Sequence, residues 1–118
     1  MGVNVRRRVL ITGAFLLLVT RGYALEIGSY HSLRQSGVQS DSDSLDLWID
    51  GMIDGVKATN MVLEMKGRQK LFCKPVLTRE LAYMLIDSRL KKKKYKSGTP
   101  VDIVFVFGLT NTFPCGDP

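Results

Sequence analysis

Asp43 to Lys66 reads DSLDLWIDGMIDGVKATNMVLEMK. Leu45, Trp48, Ile49, Met52, Ile53, Val56, Val62 and Leu63 recur at spacings of three and four with one gap. That period sets them along one side of an α-helix. Asp43 or Ser44 is placed to cap its start, and Gly67 supplies a stop. A helix this long with such a stripe must bury it against other elements, so the flanking segments decide the fold class.

Downstream, Thr78 to Leu90 reads as a second helix. Thr78 is its cap, and Glu80 lies in the first turn, where the helix dipole favours an acid. Leu81, Met84, Leu85 and Ile86 form its expected buried side. Thr99-Pro100-Val101-Asp102 is a third start signal, with Thr99 as cap, Pro100 in the first helical position and Asp102 as a capping-box acid. Val101 to Leu109 is apolar on all sides, and Val, Ile and Phe favour strands. Pattern alone leaves helix and strand open there. No other segment reads as a strand to pair with it, so the expectation is a buried helix. Upstream, residues 25–44 are polar and rich in Ser, Gln and Gly. They read as a flexible N-terminal arm with a short helix near Ser29 to Gln35. The expected fold is all-α, a small compact domain of three to four helices over residues 45–118.

The first 24 residues read as an export signal. Arg6, Arg7 and Arg8 form a basic start, and Val9 to Val19 is apolar. Gly22-Tyr23-Ala24 places small residues three and one before a cut after Ala24. The apolar run is too short for a spanning helix, which needs roughly 20 residues. No membrane anchor is therefore expected after cleavage. An exported chain matures where disulfides persist, and Cys73 and Cys115 are the only two cysteines. They read as one bridge stapling a thin core.

Charge follows the same division. The whole chain has 17 Lys and Arg against 11 Asp and Glu, a net charge of +6. Four of the arginines lie in residues 1–24, which hold no acid, so residues 25–118 carry 13 against 11. The high isoelectric point belongs mostly to the signal, and nucleic acid is not an expected partner.

Three pieces together resemble the Rap/Tai-type immunity proteins of bacterial type VI secretion systems. They are Gly51-Met52-Ile53-Asp54-Gly55; Phe72-Cys73-Lys74-Pro75 followed by Thr78 and a Leu-rich helix; and the Pro100 segment ending in Gly108-Leu109 and Phe113-Pro114-Cys115. The resemblance covers roughly residues 45–115. It implies a small helical periplasmic protein, often dimeric, that binds and blocks a cell-wall amidase and has no catalysis of its own. The family pattern includes an earlier cysteine pair that this chain lacks, and the lysine run before Pro100 departs from it. The alternative is a small helical periplasmic chaperone or stress protein with no toxin partner, exposing apolar surface in acid.

Little in the chain suggests an enzyme. The single histidine, His31, sits in the polar arm, and no metal ligand set, phosphate loop or cofactor motif is present. Candidate binding features are three. Lys91, Lys92, Lys93, Lys94 and Lys96 with Tyr95 form a basic loop, either a contact for an acidic partner with Tyr95 as anchor or a solvated linker. Asp46, Asp50 and Asp54 form one helical ridge, an acidic strip or a solvated face. Gly51 and Gly55 lie one turn apart inside the long helix, where each costs roughly 1 kcal/mol against Ala. They mark either close packing of another backbone or a weakly specified exposed face. Trp48, Phe105 and Phe107 read as core or dimer-interface residues.

Overall fold

In a computed structural model, residues 25–73 and 76–116 are described. The expected export signal over 1–24 and the Lys74-Pro75 part of the second motif lie outside these residues. Four helices make up the described chain: α1 (Ile27–Gln35), α2 (Gln39–Met65), α3 (Arg79–Lys92) and α4 (Val101–Thr112). Among the described residues there is no strand, so the all-α expectation holds and Val101–Thr112 is a helix. Cys73 and Cys115 are bridged, with their Cα atoms 4.9 Å apart.

The long helix divides its surface into ridges four residues apart. Leu45, Ile49 and Ile53 point into the core, where they meet Ala82, Leu85 and Ile86 of α3 and Val101, Val104, Phe105 and Leu109 of α4. Val62 was expected in the buried stripe but is exposed, as are Met61 and Met65 near the helix end. Met84 is also exposed, and Ala82 joins Leu85 and Ile86 on the buried face of α3. The helix ends in a Schellman motif. Gly67 adopts φ 67°, its amide donates to Glu64, and the Arg68 amide donates to Leu63.

The start of α2 differs from the sequence expectation. It begins at Gln39, after a turn at Gly37 with φ 70°, and Val38 holds the cap position without a side-chain bond. Asp43 is therefore inside the helix, where it accepts from Gln39 Nε2. Thr78 caps α3 as read, its hydroxyl accepting from the Leu81 amide. Pro100, rather than Thr99, is the cap residue of α4.

Residues 25–44 do not form a loose arm. Ile27 and Tyr30 are 4% and 1% exposed and belong to the core. The strap ahead of α1 runs antiparallel to the approach to α4, bridging at Glu26 and Pro100. The Ile27 and Gly28 amides donate to the carbonyls of Thr99 and Ser97, and the Val101 amide donates to Leu25. The first amides of a helix have no partner within it. Here α1 and α4 satisfy each other's through backbone carbonyls, and neither has a side-chain cap. Ile27 and Tyr30, with half-buried Leu25 and Leu33, anchor the segment alongside these bonds.

Candidate functional site, an apolar groove between α2 and α4

Two further ridges of α2 line a groove. Leu47, Gly51, Gly55 and Thr59 are exposed, while Trp48, Met52 and Val56 are half-buried and pack against the edge of the core. Opposite them stand Ile103, Val106 and Phe107 of α4, with Leu71 nearby and Asp102 as the one charged residue in the lining. Together they enclose an open groove of about 750 Å³. Its apolar rim is well exposed: Leu47 at 75%, Phe107 at 48% and Ile103 at 45%. Contiguous apolar surface of this kind marks interaction sites in soluble proteins more often than single exposed side chains do.

Gly51 and Gly55 sit in this groove, and no atom lies within 4 Å of where a Cβ would stand on either. The expected close packing of another backbone is therefore not made within the chain. The tight helix contact is at Gly108, where an added Cβ would lie 3.4 Å from Leu85 Cβ. Phe105 is fully buried, whereas Trp48 and Phe107 line the groove.

The basic loop splits into two parts. Lys91 and Lys92 close α3, and Lys93 to Lys96 run in the connection to α4. All five lysines are exposed, but Tyr95 is half-buried against the core. Its hydroxyl accepts from Arg89 Nε at 2.9 Å, and Lys93 Nζ lies 5.6 Å from its ring centre. The expected anchor residue is thus already held inside the molecule. Arg89 also stacks over Phe107 at 5.5 Å, so the groove wall runs directly into this cationic cluster. Among the described residues none of Arg89, Lys91, Lys92, Lys93, Lys94 or Lys96 makes an ion pair.

The acidic ridge is held at two of its three positions, while Asp54 is exposed and makes no ion pair among the described residues. Arg79 grips Asp50 with two hydrogen bonds of 2.9 and 2.6 Å and reaches Asp46 at 3.5 Å. Tyr83 donates to Asp46 at 2.7 Å. One turn further along α3, Asp87 accepts from Tyr30 and Arg34 of α1, and the Arg34 guanidinium lies 4.2 Å from the Tyr83 ring centre. Arg79, Tyr83 and Asp87 stand at successive fourth positions and sew α3 to α2 and α1 on the side away from the groove. The bonds to Arg79 hold the Asp50 carboxyl below its ordinary range. Burial, with the bond to Asp87, raises Tyr30, and burial, with the bond to Asp46, raises Tyr83.

Asn60 was not singled out by sequence. Its carbonyl oxygen accepts from the Leu71 amide at 2.7 Å, and its amide donates to the Phe72 carbonyl at 2.9 Å. This clamp seats buried Phe72 and delivers Cys73 to the tail. There the Cys73 amide donates to Phe113, and Gln69 donates to the Cys115 carbonyl. The signal available in sequence was a polar residue near the end of the long helix, which fixes no partner. His31 is exposed with its ring edge toward Tyr30. No helix among the described residues is long and apolar enough to cross a membrane. Compared with protein-family profiles, characterised proteins and solved structures, the chain shows no match.

Proposed function

We propose that this protein is a periplasmic binding protein of the immunity type, exported behind residues 1–24, which blocks a cell-wall-degrading amidase by covering it. The observation that carries the reading is the open apolar groove on a disulfide-stapled helical frame. A rigid frame loses little conformational entropy on binding, which favours steric inhibition. The choice of an amidase toxin as partner rests on the motif resemblance around Gly51–Gly55, Phe72-Cys73 and Phe113-Pro114-Cys115. No metal, nucleotide or other cofactor enters the mechanism, which needs only contact and exclusion of substrate.

The test is affinity capture with full-length protein tagged at its C-terminus, from envelope extracts of the producing cell with its secretion system active. A stoichiometric hydrolase that loses activity on binding supports the reading. Recovery of many unrelated proteins only after acid treatment would favour the chaperone alternative.

A further inference from the structure

We infer that the groove between α2 and α4 takes a single amphipathic helix of a protein partner, with a small residue over Gly51–Gly55 and acidic residues toward Arg89 and the lysine loop. The inference rests on the proposed function only in treating the groove as the partner site.

Three observations support it. The groove wall is apolar, so the occupant must present an apolar stripe. Its α2 side at Gly51 and Gly55 is exposed bare backbone with open space above it. A second helix can approach such a face closely, because two missing side chains remove the usual separation between packed helices. At Phe107 the wall meets Arg89, which joins Tyr95 and Lys93. The cations there make no ion pair among the described residues, and the one acid of the lining, Asp102, is outnumbered. Carboxylates on the occupant would complete that cluster and fix the direction in which the helix lies. Two acids of the α2 ridge, Asp46 and Asp50, do not compete for these cations, since Arg79 and Tyr83 engage them.

Trp48, the only tryptophan, lines the groove and reports on it directly. The probes are three synthetic helical peptides of about 15 residues, four turns long. Two share an apolar stripe with a central Gly-Ala face, one with glutamates at its end and one with lysines. The third is the acidic peptide with the central face changed to Leu. Titration into the oxidised protein is followed by Trp48 emission. The acidic peptide is expected to bind about tenfold or more tightly than the basic one, with the difference shrinking as salt rises. The Leu-faced peptide is expected to bind weakly.

In the protein, Gly51→Leu and Gly55→Leu should abolish binding with helix content unchanged, because each new side chain enters open space. Lys93→Glu with Lys94→Glu should erase the preference for the acidic peptide. Equal binding of acidic and basic peptides overturns the inference, as does undiminished binding by both glycine variants. It is also overturned if mass and Trp48 emission change with protein concentration alone, since a second copy would then occupy the groove. Anionic vesicles that compete with the peptide only through Lys93 and Lys94 leave it standing; vesicles that bind the groove in place of any peptide overturn it. A captured hydrolase held as firmly by both glycine variants as by the wild type would sink this inference and leave the proposed function intact. Peptide binding with no hydrolase captured would do the reverse.

Discussion

Gly108 of α4 lies against Leu85 of α3 so closely that an added Cβ would stand 3.4 Å from Leu85 Cβ and 3.6 Å from its carbonyl oxygen. α3 and α4 are in close contact here, in the interior of a helix rich in Val, Ile and Phe. Gly108→Leu has no room and must push the helices apart. We expect it to lower unfolding free energy by about 1–3 kcal/mol. Gly51→Ala meets nothing and gains helix propensity, so it should raise stability by about 1 kcal/mol. Denaturant unfolding of both variants with the disulfide intact checks the contrast; equal effects at the two glycines would show that the contact is misplaced.

Asn60→Ala removes both halves of the clamp on Leu71 and Phe72. The freed Leu71 amide and Phe72 carbonyl are only partly accessible to water, so the expected cost is about 1–3 kcal/mol. Faster amide exchange at Leu71 should accompany it, because that proton loses its acceptor. An unchanged exchange rate would rule the clamp out as the cause.

Opening the Cys73–Cys115 bridge releases a loop with a sequence separation of 42. The chain-entropy argument gives a loss of about 4 kcal/mol. Cys73→Ser with Cys115→Ser, measured by denaturant against the oxidised wild type, should show a loss of this order. A variant as stable as the oxidised protein would mean that the Asn60 clamp and the core already set the tail.

Stability should fall at both ends of the pH range, for opposite reasons. The Asp50 carboxyl sits below its unfolded value because of Arg79, so its contribution is present above the unfolded value and disappears as pH falls through the folded one. Asp50→Asn should flatten the acid limb. Tyr30 and Tyr83 are raised, so their contributions are complete below roughly pH 10 and decline as pH climbs further. Tyr30→Phe loses the bond to the Asp87 carboxylate, at an expected cost of about 1.5–3 kcal/mol near neutrality, and should soften the alkaline limb. Denaturant midpoints across pH would test both slopes.

Much of the helical frame could be read from local chemistry. Thr78 caps α3 because a threonine before an apolar run satisfies an amide three residues on. Gly67 stops α2 because only glycine enters a positive φ cheaply. The cysteine pairing needed only a count, since two cysteines allow one bridge. What escaped reading depends on distant partners. Nothing near Tyr30 in sequence announces Asp87, 57 residues away, so the docked α1 looked like a polar tail. Arg79, Tyr83 and Asp87 share one helical ridge, yet the spacing does not reveal that Asp46, Asp50 and Arg34 stand opposite. Glycines posed the hardest case. Gly51, Gly55 and Gly108 are all helical, and only the third dimension tells which has a neighbour.

The strap of residues 25–28 joins segments roughly seventy residues apart along the chain. By contrast, α3 and α4 are linked by a short connection and meet through Gly108. Closing the longer span carries the larger entropic penalty, so the order of assembly is skewed. The α3–α4 hairpin is free to form early, whereas the backbone bonds of the strap wait until the Ser97–Val101 stretch is in place. The same asymmetry governs opening. Breathing of the native protein should begin at Leu25 and spread through α1, leaving the disulfide-bound hairpin standing, so the strap sets how long the folded chain withstands a protease.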